Sequence, residues 1–525
     1  MSGLLLHAFE QTAARLPDKV ALISGDERLS YGDLLLRVRT LAHALTHDGV
    51  GTGDRVLIFL DNRVEFAIAL YGVLAAGAVI VPVSSLAKAE KLAFLVNDAR
   101  ASALLTHTQL ASAWQPVLRT WTTLRSCRVA GDSPRLEADL TEDAIDPIGS
   151  LVRRWPASLS AGPESEARST TGHRADGDLA AIIYTSGTTG IAKGVMLTQA
   201  NIASALTSIQ AYLGIGENDV IGLALPTAFS YGLNNLMLGL ARGATVVLDR
   251  WAAFPIKLAG MLERERVTVF PGVPTLFASL LGLADLSRFD LSRVRLLTNA
   301  AAALPQTHLQ RLRAAFPQAQ LVLMYGMTEC VRASYLPPQE VDQRPGSVGR
   351  GIARQDHWLV DELGRRLPSG SLGELVVSGP HVMLGYWERP VETREKLKPN
   401  PMGGPPVLFT GDVFRSDADG YLYFVSRKDD MIKTRGEKVA PREVESVIYR
   451  LDAVTGCAVV GVPDDALGQA VKAFVTLTPD CGLDERAIIR YCLSRLENYM
   501  APKFVEIVDE LPRTESGKIR HASLR

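Results

Sequence analysis

The chain has 525 residues, 47% of them hydrophobic and 22% charged, and a formal net charge of −1. That length predicts two or more domains rather than one core, and the composition excludes wholesale disorder. The near-neutral balance, with no basic stripe interleaved by aromatics, offers no field for nucleic acid or an anionic membrane.

Near the N-terminus Leu4-Leu5-Leu6 is followed by His7, Glu10 and Arg15, which is not the pattern of a signal peptide. The strand Arg55–Phe59 comes next. Phe66 to Val83 carries no charge over eighteen residues, long enough to raise a membrane span. Gly72, Gly77 and Pro82 interrupt it, so the reading is a buried helix from about Arg63 to Ala76, a stop at Gly77 and the strand Ala78–Val81. No membrane span is expected. The five cysteines (Cys127, Cys330, Cys457, Cys481 and Cys492) are scattered and form no CxxC pair. Neither zinc nor a disulfide framework is expected, and a reducing cytoplasm fits.

Residues 131–177 are rich in Pro, Ser, Gly, Arg and acids with little periodicity, and read as a surface excursion. A strand-like run, Leu179–Ile183, then leads into Tyr184-Thr185-Ser186-Gly187-Thr188-Thr189-Gly190-Ile191-Ala192-Lys193-Gly194. Three glycines let this backbone approach a ligand closely. Hydroxyls, loop N–H groups and the Lys193 charge suit a polyphosphate. The spacing is not that of the Walker loop, where Lys directly follows the last glycine of the loop. Further on, the helix Pro255–Glu265 and the strands Thr245–Leu248 and Val267–Phe270 continue an α/β alternation. A boundary lies near Arg427-Lys428-Asp429-Asp430. Beyond it come a helix from Arg442 to Leu451, strands Cys457–Val462 and Val471–Leu477, a helix Glu485–Leu496, and a polar tail from Leu511 to Arg520.

Taken in order, six segments carry a resemblance. They are Leu29-Ser30-Tyr31-Gly32-Asp33-Leu34, the glycine-rich loop, Met324-Tyr325-Gly326-Met327-Thr328-Glu329, Thr410-Gly411-Asp412, Arg427-Lys428-Asp429-Asp430-Met431-Ile432-Lys433, and Pro512-Arg513-Thr514-Glu515-Ser516-Gly517-Lys518. The chain resembles the adenylate-forming superfamily of acyl-CoA synthetases, peptide-synthetase adenylation domains and beetle luciferases. The resemblance implies an α/β fold: a large N-terminal domain of several subdomains over 1–427, and a small mobile α+β domain over 428–525.

The implied reaction has two steps. A carboxylate attacks the α-phosphate of ATP, giving acyl-adenylate and pyrophosphate, and a thiol then displaces AMP. The resemblance makes Lys518 the catalytic lysine bridging carboxylate and α-phosphate, and makes Glu329 and Thr185 ligands of Mg²⁺, a hard cation that prefers oxygen. The nucleotide set is Thr185, Ser186, Gly187, Thr188, Thr189, Gly190, Lys193, Asn299, Tyr325, Gly326, Thr328, Asp412, Arg427 and Lys433. Within it Tyr325 packs on adenine, Thr328 donates to the α-phosphate, Asp412 accepts from the ribose hydroxyls, and Arg427 reaches ribose or phosphate. Asp429 is the hinge, and Gly436 with Lys438 lies where the thiol approaches. Ala192 stands where a proline is usual, and Gln199 where a histidine is common.

The acyl pocket is expected around Phe229, Ser230, Gly272, Ala301 and Ala302. Members that activate amino acids typically place an aspartate near Ser230; a serine there favours an acid without an α-amine, because a desolvated ammonium needs a carboxylate partner. Gly272 is expected to leave depth for an alkyl or aryl chain. The segments Cys330–Pro338 and Arg435–Pro441 look like a bacterial branch of acyl-CoA ligase-like enzymes that often accompany biosynthetic clusters. Its acceptor is CoA or the phosphopantetheine of a separate carrier protein. A free-standing amino-acid adenylation enzyme, a luciferase-like oxidative enzyme and a silent ATP-binding homologue are the other readings. The presence of Lys518, Glu329 and Asp412 argues against the last.

Overall fold

The computed structural model describes residues 5–118, 120–131, 152–155, 175–186, 192–250, 254–434, 437–464, 467–479, 481–514 and 518–524. Gly187, Thr188, Thr189, Gly190, Gly436 and most of the 131–177 excursion lie outside them.

Two sheets form the scaffold of the large domain. One runs, in spatial order, through 350–351, 334–336, 320–325, 296–299, 269–272, 220–223, 245–248, 20–24 and 27–30; its central strands are parallel. The other runs through 385–386, 192–198, 179–186, 79–83, 55–59, 103–107, 126–130 and 152–154. A smaller antiparallel sheet of 356–360, 372–378, 407–416, 397–398 and 422–427 follows. Helices packed on the parallel sheets bury their apolar faces in a common core, which is why the strands are apolar on both sides.

The uncharged stretch divides as expected. Val64–Ala75 is a helix with ten of its twelve residues buried, and Tyr71 stacks on Phe9 at 4.4 Å. A helix apolar all round belongs in a core. Gly77 ends it at φ +83°, and Val79–Val83 is a strand in mid-sheet. Among the described residues no helix is long and apolar enough to cross a membrane.

Three expectations shift. The strand foreseen at Val267–Phe270 runs Val269–Gly272, because Arg266 turns left-handed (φ +53°) and Val267 N–H still closes the preceding helix on Leu262 O. The 131–177 excursion is not all surface: Val152–Arg154 adds a parallel strand beside Ser126–Ala130, and Trp155 packs on the core. In the small domain, the hairpin Val454–Asp464 with Gly468–Leu477 outruns its apolar segments, since main-chain pairing continues down to Asp464↔Gly468.

The small domain packs that hairpin, Ile432–Thr434, Glu437–Val439 and Phe504–Ile507 against the helices Pro441–Ile448 and Glu485–Leu493 around its own core. Pro441 opens its helix at the first turn, where a missing N–H costs nothing. Glu445 lies inside this packing. Its Oε1 accepts from Val459 N–H at 2.9 Å, with His521 Nε2 4.0 Å away. Burial pushes its pKa from 4.5 up to about 7 and Asp430 adds to the rise, while the Val459 bond and Arg442 pull it down.

The folded state therefore holds the Glu445 proton more tightly than the unfolded chain. Its contribution is complete below about pH 4.5 and is lost as pH rises to about 7, a change on the order of 3 kcal/mol. Denaturant melts at pH 5 and pH 8 should show this loss, and Glu445→Gln should remove most of the slope. Equal slopes in the two proteins would place the proton elsewhere.

Candidate active site

Parallel strands deliver side chains to one edge of a sheet, and ligands gather beyond their carboxyl ends. Three consecutive strands of the larger sheet end at Gly272, Asn299 and Tyr325. Gly272 is paired directly with Asn299, and Asn299 with Leu323, two residues before Tyr325. The chain after Tyr325 then makes a tight return: Cys330 N–H bonds Met327 O and Ala333 N–H bonds Tyr325 O. Val331 takes φ +60° within it. A Cβ on Gly326 would sit 2.6 Å from Val331 O and 2.9 Å from Arg332 Cα. Only glycine fits that crossing without movement of backbone.

The antiparallel sheet meets this edge through one bond. Tyr325 Oη donates to Asp412 Oδ2 at 2.6 Å, and Tyr325 packs edge-on against Phe414 at 4.8 Å. Arg427 is the direct strand partner of Asp412, with Nε 3.7 Å from Oδ1. Burial raises the Asp412 pKa above the usual carboxylate value, while Arg427, Tyr325, Lys396 and Lys518 act to keep it ionised.

Glu329, 7% exposed, accepts from Tyr386 Oη at 2.8 Å. Tyr386 pairs with Val195 on the strand after the glycine-rich loop, and Lys193 Nζ lies 5.6 Å from its ring centroid. The strands on either side of the loop pair antiparallel, with Thr185 opposite Lys193 and Ser186 opposite Ala192. Thr185 Oγ1 is 3.5 Å from Lys193 O. Tyr386 therefore ties the strand that follows the loop to Glu329. It carried no sequence pattern beyond Gly385-Tyr386-Trp387, where an aromatic pair follows a glycine of positive φ.

Lys518 reaches the same place from the small domain. Its tail folds back on itself: Thr514 N–H bonds Lys518 O, Arg520 N–H bonds Pro512 O, and Arg513 bridges Ile519. Lys518 is exposed to solvent. Desolvation is nonetheless the largest influence on its ammonium and lowers its pKa; Arg427 pushes the same way, and Asp412 and Glu329 pull it up. Two cations, Lys518 and Arg427, and two carboxylates, Asp412 and Glu329, thus stand near enough for their charges to act on one another across the two domains.

The remaining expected residues divide. Thr328 is half-buried after Tyr325. Asn299 Nδ2 donates to Ala302 O at 2.9 Å, leaving a buried Oδ1 without a partner. Ala301 lies in the left-handed region at φ +71°, and Ala302 is exposed. Ser230 is the first residue of the helix Ser230–Ala241. Phe229 is its cap and supplies no side-chain bond, so the serine is not a capping group. The depth expected at Gly272 is not open, because the Phe277 ring fills it, with Cζ 2.5 Å from where a Cβ would be. Gln199 is spent on Leu5 N–H, not on a ligand. Lys438 pairs with Glu362, and Lys433 also acts on that carboxylate. Those two lysines therefore stand with Glu362 in this arrangement. Asp429 is exposed in the short turn Lys428–Asp430.

Comparison with known proteins agrees with this geometry. The AMP-binding enzyme family matches residues 9–387, and the AMP-binding enzyme C-terminal domain matches residues 443–518. The long-chain-fatty-acid–CoA ligase of Escherichia coli O6:H1 is 32% identical over 99% of this chain and 94% of its own. The feruloyl-CoA synthase of an Amycolatopsis species is 32% identical over 97% and 96%. Among solved structures, the anthranilate CoA ligase AuaEII in complex with anthranoyl-AMP superposes with a TM-score of 0.87 at 27% identity, covering 100% of this chain and 96% of that one. The benzoate CoA ligase from Burkholderia xenovorans LB400 gives 0.83 at 26%, with both chains covered in full. A large mixed domain with a small C-terminal one, meeting at a cleft of opposed charges, belongs to the AMP-binding enzyme family, and this chain is a member. It is an AMP-forming acid–thiol ligase that works on ATP and a small carboxylic acid.

The residues present fit both nucleotide and metal. Among the described residues no cluster of three His, Cys, Asp or Glu exists to cage an ion. Mg²⁺ needs no such cage, since it binds through one or two carboxylates and substrate phosphates. Gly326 gives a direct check on the cleft. Gly326→Ala should lower stability by about 1–3 kcal/mol and displace Tyr325 and Thr328. Melting and pyrophosphate release both unchanged would show that the return tolerates a Cβ.

Proposed function

We propose that Lys518 is the residue that joins acid to nucleotide, and that residues 1–427 and 428–525 form the two bodies that bring it in and take it away. The observation that carries this is that the charges of Arg427, Asp412 and Glu329 all act on the Lys518 ammonium. Two anions, the acid and the α-phosphate, must meet for the first step, so fixed positive charge where they meet is the chief need. The lysine neutralises the pair, and Thr328 donates to the phosphate. Asp412 takes the ribose hydroxyls, Arg427 holds ribose or phosphate, and Tyr325 lies on adenine. Asn299 Oδ1, buried without a partner, faces the same nucleotide. Thr185 to Gly190 and Lys193 hold the outer phosphates. Glu329, with Thr185, would hold Mg²⁺, which supplies charge neutralisation to the leaving pyrophosphate.

For the second step the small domain turns about Asp429, withdraws Lys518 and brings Gly436 and Lys438 toward the thiol. The acceptor is CoA or the phosphopantetheine arm of a separate carrier protein, in the cytoplasm. Lys518→Ala should lower pyrophosphate release on the order of 10²–10³-fold yet leave thiolation of supplied acyl-adenylate largely intact. Normal pyrophosphate release by the variant would end this assignment.

The acid is one without an α-amine. Ser230 carries no charge, and the buried charge beside the next residue, Tyr231, is the cation of Arg332. An α-ammonium would find repulsion where it needs a carboxylate. Fatty or aromatic acids are expected to exceed their α-amino counterparts about a hundredfold, the factor roughly 3 kcal/mol of uncompensated desolvation gives. Equal mixtures separated after thiolation measure this. Preference for the amino acid would instead favour a free-standing amino-acid adenylation enzyme.

A further inference from the structure

Arg332 is 3% exposed, and its Nε is buried without a hydrogen-bond partner. The other deeply buried arginines are paired: Arg63 with Asp61, and Arg128 with Asp48 at 2.8 Å. Among the described residues no carboxylate lies within ion-pair distance of Arg332. Its guanidinium carbon stands 5.2 Å from the Tyr231 ring centroid, and it acts on the hydroxyl of Tyr212, whose ring stacks on Tyr335 at 4.0 Å. A cation over an aromatic face recovers only part of what burying an ion without a counter-charge costs. The site is short of an anion.

Its position says which anion. Tyr231 follows Ser230 at the start of its helix, and its Oη bonds Thr298 Oγ1 at 2.7 Å, one residue before Asn299 and the Ala300–Ala302 turn. Arg332 is thus one ring away from both segments assigned to the acyl pocket. The charges that act on Lys518 are Arg427, Asp412 and Glu329; Arg332 is not among them. Arg332 is therefore a cation distinct from Lys518, placed beside the segments assigned to the acyl pocket. A guanidinium fork matches a carboxylate with two parallel bonds.

Resting on the acid-ligase reading of this cleft, we propose that Arg332 is a specificity-determining residue that receives a second carboxylate, so that the substrate is a dicarboxylic acid activated at one end. The distal group gives the buried cation its counter-ion, and Lys518 serves the reacting end. A monoacid of equal length would leave the guanidinium unpaired beneath its methyl terminus.

The test pairs α,ω-dicarboxylic acids of six to ten carbons with monocarboxylic acids of the same length, scored by pyrophosphate release and by thioester formed with CoA. The wild-type enzyme should favour the diacid at least about tenfold in kcat/KM. Arg332→Met should abolish that preference, raising KM for the diacid while retaining turnover of the monoacid, and Arg332→Lys should keep part of it. Robust wild-type turnover of monoacids with equal or poorer use of diacids would overturn the proposal without touching the ligase reading, and this comparison needs no variant. Silence of the folded enzyme toward every acid would overturn the ligase reading and this proposal together.

Discussion

The bond from Tyr325 to Asp412 is the join on which the cleft depends. It links the end of a parallel strand in the large sheet to the middle of a strand in the antiparallel one. Burial works against the charge on Asp412, and Tyr325, Arg427, Lys396 and Lys518 work for it. Each comes from a different piece of chain. An ionised Asp412 therefore draws four elements together, and a protonated one would release its hold on them.

Much of this was legible in the sequence because the chemistry is local. Glu329 follows Tyr325 within one short return, Asp412 and Arg427 are strand partners, and Lys518 sits in a tail that folds on itself, so each motif marks one contiguous piece of the site. The strands Arg55–Phe59 and Thr245–Leu248 stand where their apolar runs place them. Residues that act across the fold were not legible. Tyr386 reaches Glu329 from a two-residue strand with no periodicity. Arg332 is one more charged letter until burial strips it of water. Gly272 misled because a glycine advertises space without saying what fills it, and Phe277 arrives from the next helix.

Among the described residues the polar ties between the two domains are of mixed exposure, and Lys428 Nζ donates to Glu374 Oε2 at 2.9 Å. Lys438 meets Glu362 at the surface, both side chains more than half exposed, and Arg442 Nη1 donates to Phe424 O at 2.7 Å. Exposed ion pairs contribute little, whereas the ties of Lys428 and Arg442 draw on partly buried partners.

The turn after Asn299 carries Ala301 where a left-handed backbone would be easier for glycine. An alanine has no side-chain torsion. The methyls of Ala300, Ala301 and Ala302 cannot swing aside as a leucine or methionine would, nor vanish as a glycine's missing carbon does. Whatever part of a ligand lies against that turn meets a wall of fixed height. Such a wall can be widened only by a change in the gene, not by a change of rotamer.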